Sequence, residues 1–259
     1  MTKRLPSVGG WIFIILFVGV AFLLLRELNW DKLAWYTVSP DTSAGRRNLW
    51  FLVGGLKYTI LMSLTAIVIS IAVGLLVALP GLSKSPSVRL INRVYVEIIR
   101  AVPILVLLFW VYYGLPILHD NLSINVFWAG VIALALSDSA FEAEIFRAGI
   151  QSIDRGQLEA ADSIGLGYFG RLRYVILPQA IRRILPPLGN QLVYMLKMSS
   201  LVSVIGMEEL TRKANELVVS TYRPLEIYTV LVLEYLVLIL IVSMGVRWLE
   251  RRLQSNESA

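Results

Sequence analysis

The chain has 259 residues, of which 57% are apolar and only 16% are charged, against ~25% charged in soluble domains. Its mean hydropathy of +0.70 excludes intrinsic disorder, a nucleic-acid-binding domain and an ordinary soluble enzyme. With no cysteine and a single histidine, His119, it also lacks the means for a disulfide framework, thiol catalysis or a Cys- or His-based metal site. The formal net charge of +6 is what membrane insertion leaves behind in basic cytoplasmic loops.

In chain order, the first apolar segment covers residues 8–25, after Lys3 and Arg4. The bulky, charged Leu25-Arg26-Glu27-Leu28 offers no small-x-small cleavage site, so an uncleaved anchor helix is expected. A polar stretch to Gly54 follows. Further spans are expected at about 56–80, 94–118, 126–145, 185–206 and 227–248. Each holds ~20 residues or slightly more, enough to cross ~30 Å of hydrocarbon. Lys84, Arg89, Arg93, Arg147, Arg155, Arg171, Arg173, Arg182 and Arg183 share one side of that arrangement. This excess places both termini in the cytoplasm. Trp110, Tyr112, Tyr113 and Trp128 sit where an outer aromatic belt belongs.

The second span carries Ala66, Ser70, Gly74 and Ala78 at four-residue spacing, a ridge that lets another helix approach closely. Charges also fall within spans. At the helical rise, Asp138 lies ~18 Å from the outer side and Lys197 ~16 Å from the inner side, hence at similar depth. Charges there are expected to face the bundle interior, paired or hydrated. They form either a structural ion pair or, with Ser137, Ser199 and Ser200, a small polar cavity that Glu142 extends on its acidic side. Glu97 and Arg100 are spaced to pair on one helix face near the cytoplasmic end.

The polar segment between the fourth and fifth spans is too long for a turn and too short for a domain. Asp154 is placed to cap a helix from Arg155, with Gln157 answering as in a capping box. Gly165 suits the left-handed residue that ends it. A second short helix over 168–177 is expected to stop at Pro178, and Leu158, Ala161 and Ile164 share a face that needs covering. Two readings stay open on physical grounds: a rigid protrusion that docks on a cytoplasmic partner, or a solvated amphipathic loop.

The run Glu159-Ala160-Ala161, then Gly165, then Ile176-Leu177-Pro178 resembles the EAA loop of ABC importer permeases. Glu97-Ile98-Ile99-Arg100-Ala101-Val102-Pro103 resembles the E-x-x-R-G-x-P segment of the polar amino-acid permease family. Glu144-Ile145-Phe146-Arg147-Ala148-Gly149-Ile150-Gln151-Ser152 is similar to its A-E-x-x-R-G-G-I-Q-S signature, and Lys197-Met198-Ser199-Ser200-Leu201 to its K-D-T-S-L. The departures are Ala101 and Ala148 for glycine, and Met198-Ser199 for Asp-Thr.

The resemblance implies an all-α polytopic membrane bundle of the type I ABC importer permease fold, a five-helix core plus an N-terminal helix. It implies an anchor helix and external loop at 1–54, a transmembrane domain at 55–250 with a coupling loop at 150–182, and a cytoplasmic tail at 251–259. Glu159, Ala160, Ala161, Gly165 and Pro178 would couple to the ATPase. By the depth argument above, and not by the resemblance, Ser137, Asp138, Glu142, Lys197, Ser199 and Ser200 would line a substrate path; Glu97, Arg100, Pro103, Glu144 and Arg147 would serve structure or a gate. The implied partners are two ABC ATPase subunits, a second permease (identical or homologous), an external amino-acid-binding protein and the lipid bilayer of the bacterial inner membrane. The chain carries no G-x-x-x-x-G-K-[ST] phosphate loop, so ATP and Mg belong to the partner ATPase, and no catalytic role or cofactor is expected here. The alternative is an ion-gradient-driven secondary transporter using Asp138, Glu142 and Glu234.

Overall fold

The computed structural model describes residues 33–118 and 122–254, and every regular element among them is helical. The expected anchor helix at 8–25, His119 and the residues from 255 onwards lie outside the described residues.

After a 3₁₀ turn at Trp35–Thr37, α1 (Ser43–Val53) starts at Thr42, whose hydroxyl accepts from the Gly45 amide at 3.0 Å. α2 (Leu56–Gly81) follows directly. A Cβ on Gly55 at this junction would lie 2.6 Å from the Leu210 amide nitrogen, so only glycine permits the approach. α3 (Pro86–Ala101) and α4 (Ile104–Phe109) run back, and a π-helical turn at Trp110–Gly114 extends α4 to a last turn at Leu115–Leu118. α5 (Val126–Gln151) is capped by Asn125, which accepts from the Trp128 amide at 2.9 Å. Then come α6 (Arg155–Ser163), α7 (Tyr168–Arg171), a π-helical turn at Leu172–Ile176 and α8 (Leu177–Met198). A 3₁₀ stretch at Ser199–Ile205 leads to α9 (Leu210–Thr221) and α10 (Pro224–Gln254).

Among the described residues, three stretches are long and apolar enough to cross a membrane: Ser43–Gly81, Val126–Gln151 and Pro224–Arg252. A fourth arises if Pro86–Ala101 and Ile104–Leu118 form one broken span. The single straight span expected at 94–118 is therefore corrected to two helices meeting at 92°. Val102 is extended (ψ 121°) because a residue before proline is pushed out of the helical region, and Pro103 has no amide to continue the ladder. α8 falls short of a membrane span on apolarity because Gln179, Arg182, Arg183, Asn190 and Gln191 give it a polar side. Between the last two expected spans lies α9, a helix capped by the Glu209 carboxylate, which accepts from the Arg212 amide at 2.8 Å. Burial pushes that carboxyl above its ordinary range.

Among the described residues, α2 and α5 make the most extensive contact. They run parallel in constant register: Gly130 packs on Met62, Asp138 meets Ser70, and Glu142 lies against Gly74. The small-residue ridge explains the closeness. Ala66, Ser70 and Ala78 are fully buried, and a Cβ on Gly74 would stand 2.7 Å from the Glu142 Cβ. α3 and α4 supply the return leg that makes parallel neighbours possible. One apolar cluster fills the half where α2 and α5 begin (Met62, Leu108, Val111, Leu134, Val202), and another the half where they end (Ala78, Val96, Phe146, Ile153, Ile184).

Candidate functional site

The segment after α5 folds into a compact projection on the side where α2 and α5 end. Asp154 caps α6 by accepting from the Gly156 amide at 2.6 Å. The reciprocal Gln157 side-chain bond is not formed; Gln157 uses its backbone amide on the Asp154 carbonyl at 3.2 Å. At the far end, Leu166 N–H reaches the Ala161 carbonyl (3.1 Å) and Gly165 N–H the Asp162 carbonyl (3.0 Å), with Gly165 left-handed at φ +77°. This is the Schellman closure that glycine favours. Arg171 on α7 reaches back with both Asp162 carboxylate oxygens at 2.6 and 2.8 Å from Nη1. Arg183 of α8 donates to the Ser152 carbonyl and hydroxyl, fastening the end of α5 to α8.

The second helix does not stop at Pro178. The π-helical turn runs into α8, and Pro178 sits in its first turn, where a missing amide is tolerated. Of the face expected to be covered, Ala161 is buried and Leu158 half-buried, but Ile164 is 76% exposed. Ile164 joins Tyr168 and Phe169, also exposed, in an apolar tip. Glu159 and Ala160 face solvent.

Within the spans, Asp138 and Glu142 lie one turn apart on α5, and both are buried against α2. Ser70 donates to Asp138 Oδ2 at 3.2 Å, while Asp138 Oδ1 and both Glu142 oxygens have no hydrogen-bond partner. Lys197 is exposed and makes no ion pair with Asp138. The Ser199 and Ser200 hydroxyls donate to Leu196 and Lys197 carbonyls of their own helix, each at 2.8 Å. The structure thus joins Asp138, Glu142 and Ser70, and leaves Lys197 apart.

The expected Glu97–Arg100 pair is not formed either. Arg100 stacks over the Phe141 ring at 4.7 Å, and Glu97 is exposed. The ion pair is Glu144–Arg147, bonded at 2.6 and 3.1 Å, with Gln151 accepting from Arg147 at 2.9 Å. These groups wall a cavity of about 730 Å³ between α3 and α5, which also takes in Arg89, Asn92 and Arg93. Arg89 and Arg93, which composition alone places among loop charges, stand on α3 at a four-residue spacing that is itself a helical signal.

The chain matches the family of binding-protein-dependent transport system inner membrane components over residues 70–255. It belongs to that family. The chain is thus a membrane-spanning permease subunit of an ABC importer, a transport subunit and not an enzyme, with the type I fold. It is 38% identical over 209 residues to a protein described as a probable glutamine ABC transporter permease (GlnM) of Bacillus subtilis, covering 81% of this chain and 96% of that one. It is 36% identical over 217 residues to an arginine transport system permease (ArtQ) of the same organism, covering 84% and 99%. Among solved structures, one described as an amino acid ABC transporter with histidines superimposes with a TM-score of 0.72 at 43% identity, covering 78% of the permease and 94% of that chain. Family membership sets aside the ion-gradient alternative.

Proposed function

We propose that this permease carries a polar or charged amino acid across the bacterial inner membrane, with both termini in the cytoplasm. It acts beside a second permease, identical or homologous. An external amino-acid-binding protein delivers the cargo, and two ATPase subunits holding ATP and Mg drive the cycle. The glutamine and arginine permeases it resembles support the cargo class.

The observation that carries the coupling reading is the α6 projection. A helix capped by Asp154, closed at Gly165 and cross-tied by Arg171 presents Ile164, Tyr168 and Phe169 to the aqueous side. Exposed apolar side chains on a rigid mount mark an interaction surface. Glu159, Ala160, Ala161, Gly165 and Pro178 shape that mount. Asp138 and Glu142, buried in α5 with unpartnered oxygens, support a polar substrate path that Ser137, Lys197, Ser199 and Ser200 complete. Glu97, Arg100, Pro103, Glu144 and Arg147 form its inner gate, supported by the break at Pro103 and by the cavity that the other four border. Residues 55–250 then act as the transmembrane domain, with the coupling loop at 150–182.

The test is to purify the permease with its co-expressed ATPase and binding protein, reconstitute them in vesicles and measure ATP hydrolysis with single amino acids. Stimulation by one polar or charged amino acid is expected. Hydrolysis indifferent to every amino acid would remove the cargo assignment.

A further inference from the structure

The cavity between α3 and α5 is lined by four guanidinium groups (Arg89, Arg93, Arg100, Arg147) and two carboxylates (Glu97, Glu144). The charges are not evenly matched. Glu144 is engaged by Arg147, and Arg100 is laid over Phe141. Arg89 and Arg93 make no ion pair with any described residue. They stand one turn apart on α3, where like charges at i and i+4 repel and destabilise a helix. An oxyanion between them reverses the sign of that interaction, since the arginine fork matches phosphate and carboxylate oxygens.

The walls are fixed. Asn92, between the two arginines in sequence, is buried and donates to the Val77 carbonyl at 2.9 Å. A Cβ on Gly81 would meet the Asn92 side chain at 2.9 Å, so α2 holds α3 closely at this point. α2 is an apolar span that ends at Gly81, and α3 starts at Pro86. Arg89 and Arg93 therefore stand within the first ~10 Å of α3, beside the end of that span, where lipid headgroups gather. Gln151, the last residue of α5, lines the same cavity.

A second feature adjoins the charged one. Leu90, Val94 and Ile98 recur every fourth residue in the row next to Arg89, Arg93 and Glu97, and each is more than 40% exposed. Leu90 belongs to both the row and the cavity rim. An amphiphile can lay an acyl chain along this row while its head enters between the arginines.

We propose that this cleft binds an oxyanion through Arg89 and Arg93, supplied by the phosphate of an anionic membrane phospholipid. Basic clefts between helices on the cytoplasmic side suit such headgroups. The exposed Glu97 carboxylate on the same rim favours a singly charged phosphodiester over a more highly charged anion. This site is independent of the cargo assignment.

The experiment uses the full-length permease in a neutral detergent, with thermal unfolding as the readout. Phosphatidylglycerol should raise the melting temperature by several degrees more than phosphatidylcholine at the same mole fraction, and the difference should shrink as salt is added. The R89Q/R93Q variant should melt like the wild type without lipid and lose at least half of that difference. R89K/R93K, which retains charge but not the planar fork, should fall between; this variant decides the matter if R89Q/R93Q does not accumulate. Inorganic phosphate and free glutamate are the remaining arms. Silence from both identifies the lipid headgroup as the source, and a full response to either overturns the lipid assignment in favour of a free anion. Equal shifts with both lipids, or a full shift in both arginine variants, overturn the site itself.

Discussion

Asp162 and Arg171 face each other across the Gly165 turn, with carboxylate oxygens 2.6 and 2.8 Å from one guanidinium nitrogen. The pair is partly exposed (28% of the Arg171 side chain and 54% of Asp162), so its worth to global stability is at most about 1 kcal/mol. Its effect is geometric: it sets the angle between α6 and α7, and with it the placement of Tyr168 and Phe169. We expect Arg171→Ala to leave the melting temperature within a degree or two, yet to lower cargo-stimulated ATP hydrolysis several-fold. The charge-swapped D162R/R171D variant should recover part of the loss. Unchanged coupling in both variants would show that the angle is held by other contacts.

Gly165 tests the same mount from the backbone. A Cβ there meets nothing within 4 Å, so any defect comes from φ +77° and not from crowding. A β-branched residue in that conformation costs on the order of 1–3 kcal/mol. Gly165→Val should insert and accumulate normally while uptake is lost. Normal uptake by a well-expressed variant would falsify the coupling role.

Two glycines separate packing from propensity. Gly74→Val drives a side chain into Glu142 and the Ser139 carbonyl, and overpacking of this kind costs roughly 1–3 kcal/mol. Gly245→Ala on α10 meets nothing within 4 Å and should be neutral or gain up to ~1 kcal/mol from helix propensity. Detergent-phase melting should fall for Gly74→Val and hold or rise for Gly245→Ala.

Glu142 is fully buried with both oxygens unpartnered, and replacing such a group with an apolar one of similar volume is often neutral or stabilising. Glu142→Met should therefore melt at or above the wild-type temperature. If Glu142 also belongs to the substrate path, the same variant will transport with altered amino-acid preference. Wild-type rates and preferences would leave selectivity to the external binding protein.

The absence of native cysteine makes labelling clean. Ser163→Cys should react with an impermeant maleimide only from the cytoplasm, and Tyr222→Cys, 84% exposed before α10, only from outside. Both reacting from one side would contradict the proposed topology.

What could be read from the chain follows from what hydropathy measures. α2, α5 and α10 are long apolar runs, and lipid is the only solvent for them, so they were legible. The projection was legible because Asp154 and Gly165 are local signals with local causes. The break at Pro103 was hidden, since Ile104-Leu105-Val106-Leu107-Leu108 is as apolar as an unbroken span. α9 was masked by Arg212 and Lys213, although Leu210, Ala214 and Leu217 gave the helical period and are buried. The pairing of Asp138 with Ser70 depends on a register between helices 68 positions apart, which no local pattern encodes.

The fastening of Arg183 to Ser152 gives the projection two legs, one planted on α5 and the other on α8. A load applied at Phe169 is therefore shared between two columns that both rest on α2. α5 is locked in register to α2, whereas α8 packs against α10 as well as α2 and α5. A displacement of the tip along the membrane normal shifts both columns together. A sideways displacement would raise one and lower the other, shearing α5 against α8 where Gly149 is already pressed on Ile184. The Arg183–Ser152 bonds cross that same seam, so the mount resists tilt as well as pushing and passes both into the bundle.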